Sequence, residues 1–225
     1  NPDGTVHITT TADKNLEAKP VAASAVRIDL VIRAPRDARI DASVAGGKLE
    51  LVNMDAGGEL DSASGPLSVR NVQGEVVTHS VSGPMTLAQV FGSVDAATVS
   101  SDVDLDSIGG DKLIASAHHG RIAGRRVRAR DVELTTTDGK IMLEAEAALH
   151  GRLVVSSLRG DVEVHLHRHG AVFLRARGTK VDFGQQQTVP PQPNGWSETT
   201  FGQGENPALV ELRSAYGIVQ FTVVE

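Results

Sequence analysis

Gly65-Pro66-Leu67-Ser68-Val69, Val72-Gln73-Gly74 and Val76 are answered one period later by Gly83-Pro84-Met85-Thr86-Leu87, Val90-Phe91-Gly92 and Val94. A third copy follows in Ser101-Asp102-Val103-Asp104-Leu105 and Ile108-Gly109-Gly110. Each copy holds two short alternating runs separated by turn residues. Outward from this stretch the mark returns at Gly46, Gly65, Gly83, Ser101, Gly120, Gly139, Gly160 and Gly178, and again at Gly217 after an interruption. The steps are 18 to 21 residues. A fixed period of this size is the signature of stacked repeats.

Laid over one another, the repeats form columns. Leu67, Met85, Val103, Ile122, Ile141 and Val162 are equivalent, as are Val69, Leu87, Leu105, Gly124, Leu143 and Val164. Side chains alternate faces along a strand, so each column points inward. Gly124 breaks its column, which reads as a bulge or bend. No helical period competes, although Glu144–His150 is the most helix-like stretch and reads as a looser rung. The sequence therefore predicts an all-β chain folded as a right-handed β-solenoid. It would have about nine rungs, two short strands per repeat, and a stack on the order of 40 Å at ~4.8 Å per rung. Residues 1–25 read as a polar N-terminal segment or cap, with Val6–Ile8 as an edge strand. Residues 26–225 read as the repeat domain, opening with a strand at Val26–Ile32. A Pro/Gln/Gly-rich insertion interrupts it at 184–207.

Composition agrees. Aromatics are 3% of 225 residues, so the core must be Val, Leu, Ile and Ala, which suit a narrow stacked interior. There is no cysteine, which removes disulfides, thiolate nucleophiles and Cys-based zinc sites together. A net charge of −6 argues against nucleic acid as partner. No apolar run is long enough to span a bilayer as a helix.

The segment Val31-Ile32-Arg33-Ala34-Pro35-Arg36-Asp37-Ala38-Arg39-Ile40 precedes the repeats, Ser64-Gly65 and Ser82-Gly83 mark them, and Val210-Glu211-Leu212-Arg213-Ser214-Ala215-Tyr216-Gly217-Ile218-Val219 ends them. Together these resemble the adhesin-like "toastrack" family of β-strand repeat domains over roughly residues 26–225. The resemblance implies a right-handed, single-stranded β-helix-like fold and no catalytic residues. It also implies an extracytoplasmic place, in the periplasm or at the cell surface, beside membrane-bound envelope-stress components. A leader or anchor removed before Asn1 fits that expectation. The expected function is a non-catalytic binding or scaffold module of the bacterial envelope, with an envelope protein or a glycan as partner, an association with a membrane protein, and no cofactor. Two rivals are a carbohydrate-active β-helix enzyme acting on a polysaccharide and a structural β-helix that polymerises end to end.

Several constellations carry chemistry in principle. His165, His167 and His169 alternate, and i,i+2 histidines can share a metal, but three on one strand span ~13 Å. A second element such as His118 or His119 would have to help, and a solvated face explains them otherwise. Asp102, Asp104 and Asp106 share an outer face, as paired carboxylates of a glycosidase or calcium ligands would. The next rung offers Arg121 and Arg125, so a cross-rung salt-bridge ladder competes, Asp102 with Arg121 and Asp106 with Arg125. Arg125-Arg126-Val127-Arg128-Ala129-Arg130 could meet phosphate or lipid head groups, or be neutralised by Glu144 and Glu146. No strand-turn-helix context surrounds any serine, so no nucleophile elbow is present. The insertion holds Trp196 and Phe201, two large apolar anchors. They read either as a binding element or as a cap over one end of the stack.

Overall fold

The computed structural model describes residue 8 and residues 29–148, 150–184 and 195–224. The chain divides into two units, Asn1–Ala34 and Pro35–Glu225. Most of the first lies outside the described residues, including Val6, His7 and Val26–Ile28 of the strands expected there. Ile8 is exposed and in no strand, and residues 29–34 form none; Leu30, Val31 and Ile32 are exposed. Alternation supplies two faces, but a strand also needs a neighbour for its backbone groups.

The second unit is an all-β parallel solenoid with almost no helix and about seven turns in chain order. Each turn lays one strand on each of two faces. One face stacks β1 (Ile40–Val44), β3 (Gly58–Ser64), β5 (Val76–Ser82) and β7 (Val94–Thr98). The opposite face stacks β2 (Leu49–Met54), β4 (Leu67–Gln73) and β6 (Met85–Phe91). The long strands β8 (Val103–His119) and β9 (Ile122–Asp138) run through the bend and serve both faces. β10 (Ile141–Glu146) and β12 (Val162–His167) continue one face, and β11 (Arg152–Ser157) continues the other. Residues 144–146, expected as a looser rung, complete β10.

The predicted columns are observed in register: Leu67 on Met85, Val103, Ile122, Ile141 and Val162. Met85, Leu87 and Val90 have no exposed surface. Each such side chain contributes about 1.5–3 kcal/mol by leaving water. Buried hydroxyls fix one corner. Ser157 Oγ donates to Gly139 O at 3.2 Å and accepts from Gly160 N at 2.8 Å. Ser214 repeats this with Gly160 O and Gly217 N. The corner glycines stack so closely that a Cβ on Gly139 would lie 1.9 Å from Gly120 O. Gly65 rests on Gly47, not on Gly46, which lies beside Ser64.

A kink inside the strands, just before the corner glycines Gly57, Gly74, Gly92 and Gly110, was not foreseen. It falls at Asn53, Asn71, Gln89, Ser107 and Arg126, all with φ between 51° and 61°. Asn71 Nδ2 donates to Asn53 Oδ1 at 2.6 Å. Asparagine tolerates this left-handed conformation better than most residues, so the spacing of Asn53 and Asn71 was the available signal. The bend expected at Gly124 therefore sits at Arg126, and the gap at Gly124 is filled by Leu143, whose Cδ1 lies 2.8 Å from where a Cβ would be.

The stack does not end in chain order. After β12 come β13 (Val172–Arg177) and β14 (Lys180–Asp182), then β15 (Ser197–Phe201), β16 (Ala208–Ser214) and β17 (Ile218–Val224). β16 lies between β11 and β13, and β17 between β12 and β14, both parallel to their neighbours. The last two layers are thus exchanged: β16 and β17 are interior, β13–β14 is the outer layer, and β15 lies beyond β13 as an edge strand. The glycines record it, with Gly217 on Gly160 and Gly178 on Gly217. These two layers extend the seven sequential turns.

Candidate functional site

The insertion is where the regular stack gives way. β15 returns antiparallel along β13, pairing Ser197 with Ala176 and Phe201 with Val172. Alternation then separates the two aromatics. Phe201 points inward, 9% exposed, its ring centroid 5.7 Å from that of Phe221. Trp196 lies one residue before the inward Ser197, on the outer surface and half-buried. The Arg175 guanidinium sits 5.0 Å from the centroid of its ring, a cation–π contact. Arg175 is itself held by Glu211, Nε to Oε2 at 3.0 Å. Sequence pairs these aromatics as anchors; the structure sets one in the core and one outside. Residues 185–194 of the insertion lie outside the described residues.

Beside Trp196, Arg177 and Arg213 are registered neighbours on β13 and β16, both outward and exposed. Arg213 donates to Ser156 Oγ at 3.4 Å, and the Gly195 backbone passes Arg177, with a Cβ there lying 3.5 Å from its Nε. Neither arginine has an ion-pair partner among the described residues. The sequence hid this neighbour relation. Gly178 follows Arg177 directly, whereas Gly217 is separated from Arg213 by three residues. Aligning by glycine therefore sets Arg177 beside Tyr216 instead.

The other candidates resolve into ion pairs. His165 Nε2 meets Glu163 Oε1 at 3.1 Å, His167 Nε2 lies 3.7 Å from Glu144, and His169 Nε2 lies 3.6 Å from Glu146. Each histidine has its own carboxylate rather than a common focus. Arg121 bridges two aspartates, donating its backbone N–H to Asp102 Oδ1 at 2.9 Å and Nη2 to Asp104 Oδ1 at 3.1 Å. Asp106 faces Arg125 in register, as expected, but its ion pair is with Arg126, whose left-handed backbone brings its side chain to Ser107 and Asp106. Arg128 is held by Glu146 at 2.6 Å.

These contacts shift the carboxylates. Hydrogen bonds from Lys140 and His165 hold Glu163 below its ordinary range. Burial raises Glu146, but Arg128 and His169 outweigh it and lower it overall. Arg159 holds Asp138 low, with His119 assisting at 2.9 Å. Among the described residues, the one trio of metal-type ligands within 4.8 Å of one another is Glu59, Asp61 and His79. It is distant in sequence from every predicted candidate.

With two-strand turns, glycine corners and inward columns established, the family comparison is decisive: the family model described as "Toastrack DUF4097" matches residues 3–186. The chain belongs to the Toastrack DUF4097 family. No curated protein and no solved structure matches it. The toastrack match takes in the sequential turns and the outer β13–β14 layer, and ends before β15–β17. The toastrack solenoid fits a non-catalytic binding or scaffold module. No helix among the described residues is long and apolar enough to cross a membrane.

Proposed function

We propose that this toastrack domain is an extracytoplasmic binding and scaffold module of the bacterial envelope, non-catalytic, serving adhesion or envelope-stress sensing. It holds an envelope protein or a glycan against the outer surface of its C-terminal layers. The observation that carries this reading is the placement of the insertion. The one long departure from the repeat brings the only tryptophan to the outer surface of a rigid sheet. A parallel stack presents such a surface with little entropy to lose on binding.

A photo-crosslinking side chain at position 196, with the protein expressed in envelope-bearing cells, tests it. Adducts with an envelope component are expected from position 196 and not from Ile114, on the same face several layers away. Adducts from neither position, or fractionation with the cytosol, would refute the reading. Against the enzymatic rival, acidic and neutral polysaccharides should stay intact on incubation. Cleavage that Asp104→Ala abolishes would overturn the non-catalytic assignment.

A further inference from the structure

We infer that Glu59, Asp61 and His79 form a binding site for a divalent transition-metal ion, with zinc the ion that fits their donors. The site lies on strands other than those that bear Trp196, so it neither rests on the binding-module reading nor decides it. Glu59 and Asp61 alternate on β3, and His79 stands directly opposite Asp61 on β5. All three point outward, while Leu60 and Thr78, next to them on the same strands, are buried. The core therefore fixes the backbone that carries the trio, and only side-chain rotation is left to settle. One ligand atom from each residue lies within 4.8 Å of the other two. His79 Nδ1 is 3.2 Å from Asp61 Oδ1. Two ligands of one tetrahedral zinc stand roughly 3.3–3.5 Å apart, given bonds of about 2.0–2.2 Å to the metal. That pair is close to chelating distance with no movement of the backbone.

The charges around the trio favour a cation. Asp41 on β1 faces Glu59, and they are the one directly opposed pair of carboxylates in the registered ladders of the described residues. Like charges so placed destabilise a sheet. Elsewhere on the stack outward acids are commonly answered by bases: Asp104 by Arg121, Asp106 by Arg126, Glu146 by Arg128, Glu163 by Lys140. Arg39 reaches Asp41 at 3.6 Å and Glu75 at 3.2 Å, and pairs with neither Glu59 nor Asp61. The donor set then selects the cation, because the histidine among the acids separates a metal site from a solvated acidic face. Calcium and magnesium take oxygen donors. One imidazole nitrogen with two carboxylate oxygens suits zinc and its first-row neighbours. Three protein ligands leave the fourth position open to water or to a carboxylate brought by a partner.

Competition against a zinc indicator dye, on protein first stripped with a chelator, tests the site. His79→Gln, Asp61→Asn and Glu59→Gln should each weaken the tightest-bound zinc at least about tenfold. His165→Gln and His119→Gln, in other histidine–carboxylate pairs, should leave it unchanged. Calcium or magnesium at equal concentration should not displace it. Thermal melting gives a second readout and shows that each variant folds. Glu59→Gln removes a repulsion, so without metal it should melt no lower than the unaltered chain. With zinc, which stabilises the folded state it binds, the order should reverse. No zinc binding, equal affinity in His79→Gln, displacement by calcium, or loss of the tightest zinc with His165→Gln or His119→Gln would each overturn the assignment. So would zinc that raises the melting temperature of every variant equally. None of these outcomes bears on crosslinking at position 196, so the module reading stands or falls separately.

Discussion

From Ile40 to His167 every turn rests on the turn that precedes it in the chain; from Val172 to Val224 it does not. In the first region each layer docks on a surface already formed, and the contacts are near in sequence. In the second, the chain lays down β13–β14 at a distance, doubles back through β15, and fills the gap with β16 and β17. The two regions share one repeat chemistry, with the same inward columns and the same hydroxyl at the corner. What differs is which end depends on which. The C-terminal strands are an interior layer, although they come last.

Cutting the chain after residue 206 should break the comparison most severely. It removes an interior layer and leaves the inward side chains of β11, β12 and β13 facing a void. Loss of the cooperative thermal transition by circular dichroism is expected. Excising residues 172–207 instead, so that residue 171 joins 208, should leave a folded solenoid in simple chain order. Its new outer edge, β16 and β17, would be unpaired and prone to association, visible by light scattering. If the truncation melts like the full chain, the exchanged order is not what holds that end together.

Next in size, Leu87→Asp buries an unpaired charge in the sequential region and should abolish folding. Phe201→Ala, in the returning strand, should cost about 3–5 kcal/mol and be felt mainly by β13–β15. Hydrogen exchange would show fast amides confined to residues 172–201. Exchange spread through the early turns would mean the two regions unfold as one.

Glycines sharpen the contrast further. Gly139→Ala drives a Cβ into Gly120 O inside the stack and should cost about 4 kcal/mol or more in a urea titration. Gly47→Ala, in the first turns of the stack, meets nothing within 4 Å. Its cost is the φ of +98° alone, about 1–3 kcal/mol. Equal losses would mean that interlayer contact is not what the glycine ladder protects.

The smallest effect concerns acid. Arg159 lowers the folded-state pKa of Asp138. Its stabilisation is therefore present above the unfolded value of about 3.9 and lost as pH falls below it. Asp138→Asn should lower the melting temperature slightly at pH 7 and by less at pH 3. The pair is exposed, so the difference is small. An equal difference at both pH values would remove the ion pair as its cause.

Much of the site was legible, but in parts. Trp196 and Phe201 stand out by composition, yet whether they act together depends on strand parity. Only the antiparallel return of β15 fixes that Ser197 and Phe201 face inward and Trp196 outward. Arg177 and Arg213 drew no reading from the sequence. Their neighbour relation was hidden, because the corner after Arg177 is shorter than the corner after Arg213. The Asp102–Arg121 pair followed from register alone, since each directly precedes the paired strand starts Val103 and Ile122. Asp106 was assigned to Arg125 because a left-handed residue cannot be seen in an alternation pattern.

The sequence by itself determined the turn: its length, its two strands, its inward columns and its corner glycines. These depend on local alternation and on steric limits at each corner, which every repeat carries within itself. The tertiary structure alone decided the order of the last layers, and with it which surface Trp196, Arg177 and Arg213 share. A layer's upper and lower faces present the same columns as every other layer's, so local pattern permits many stackings. The choice among them falls to the connections and to long-range packing, which no single repeat encodes.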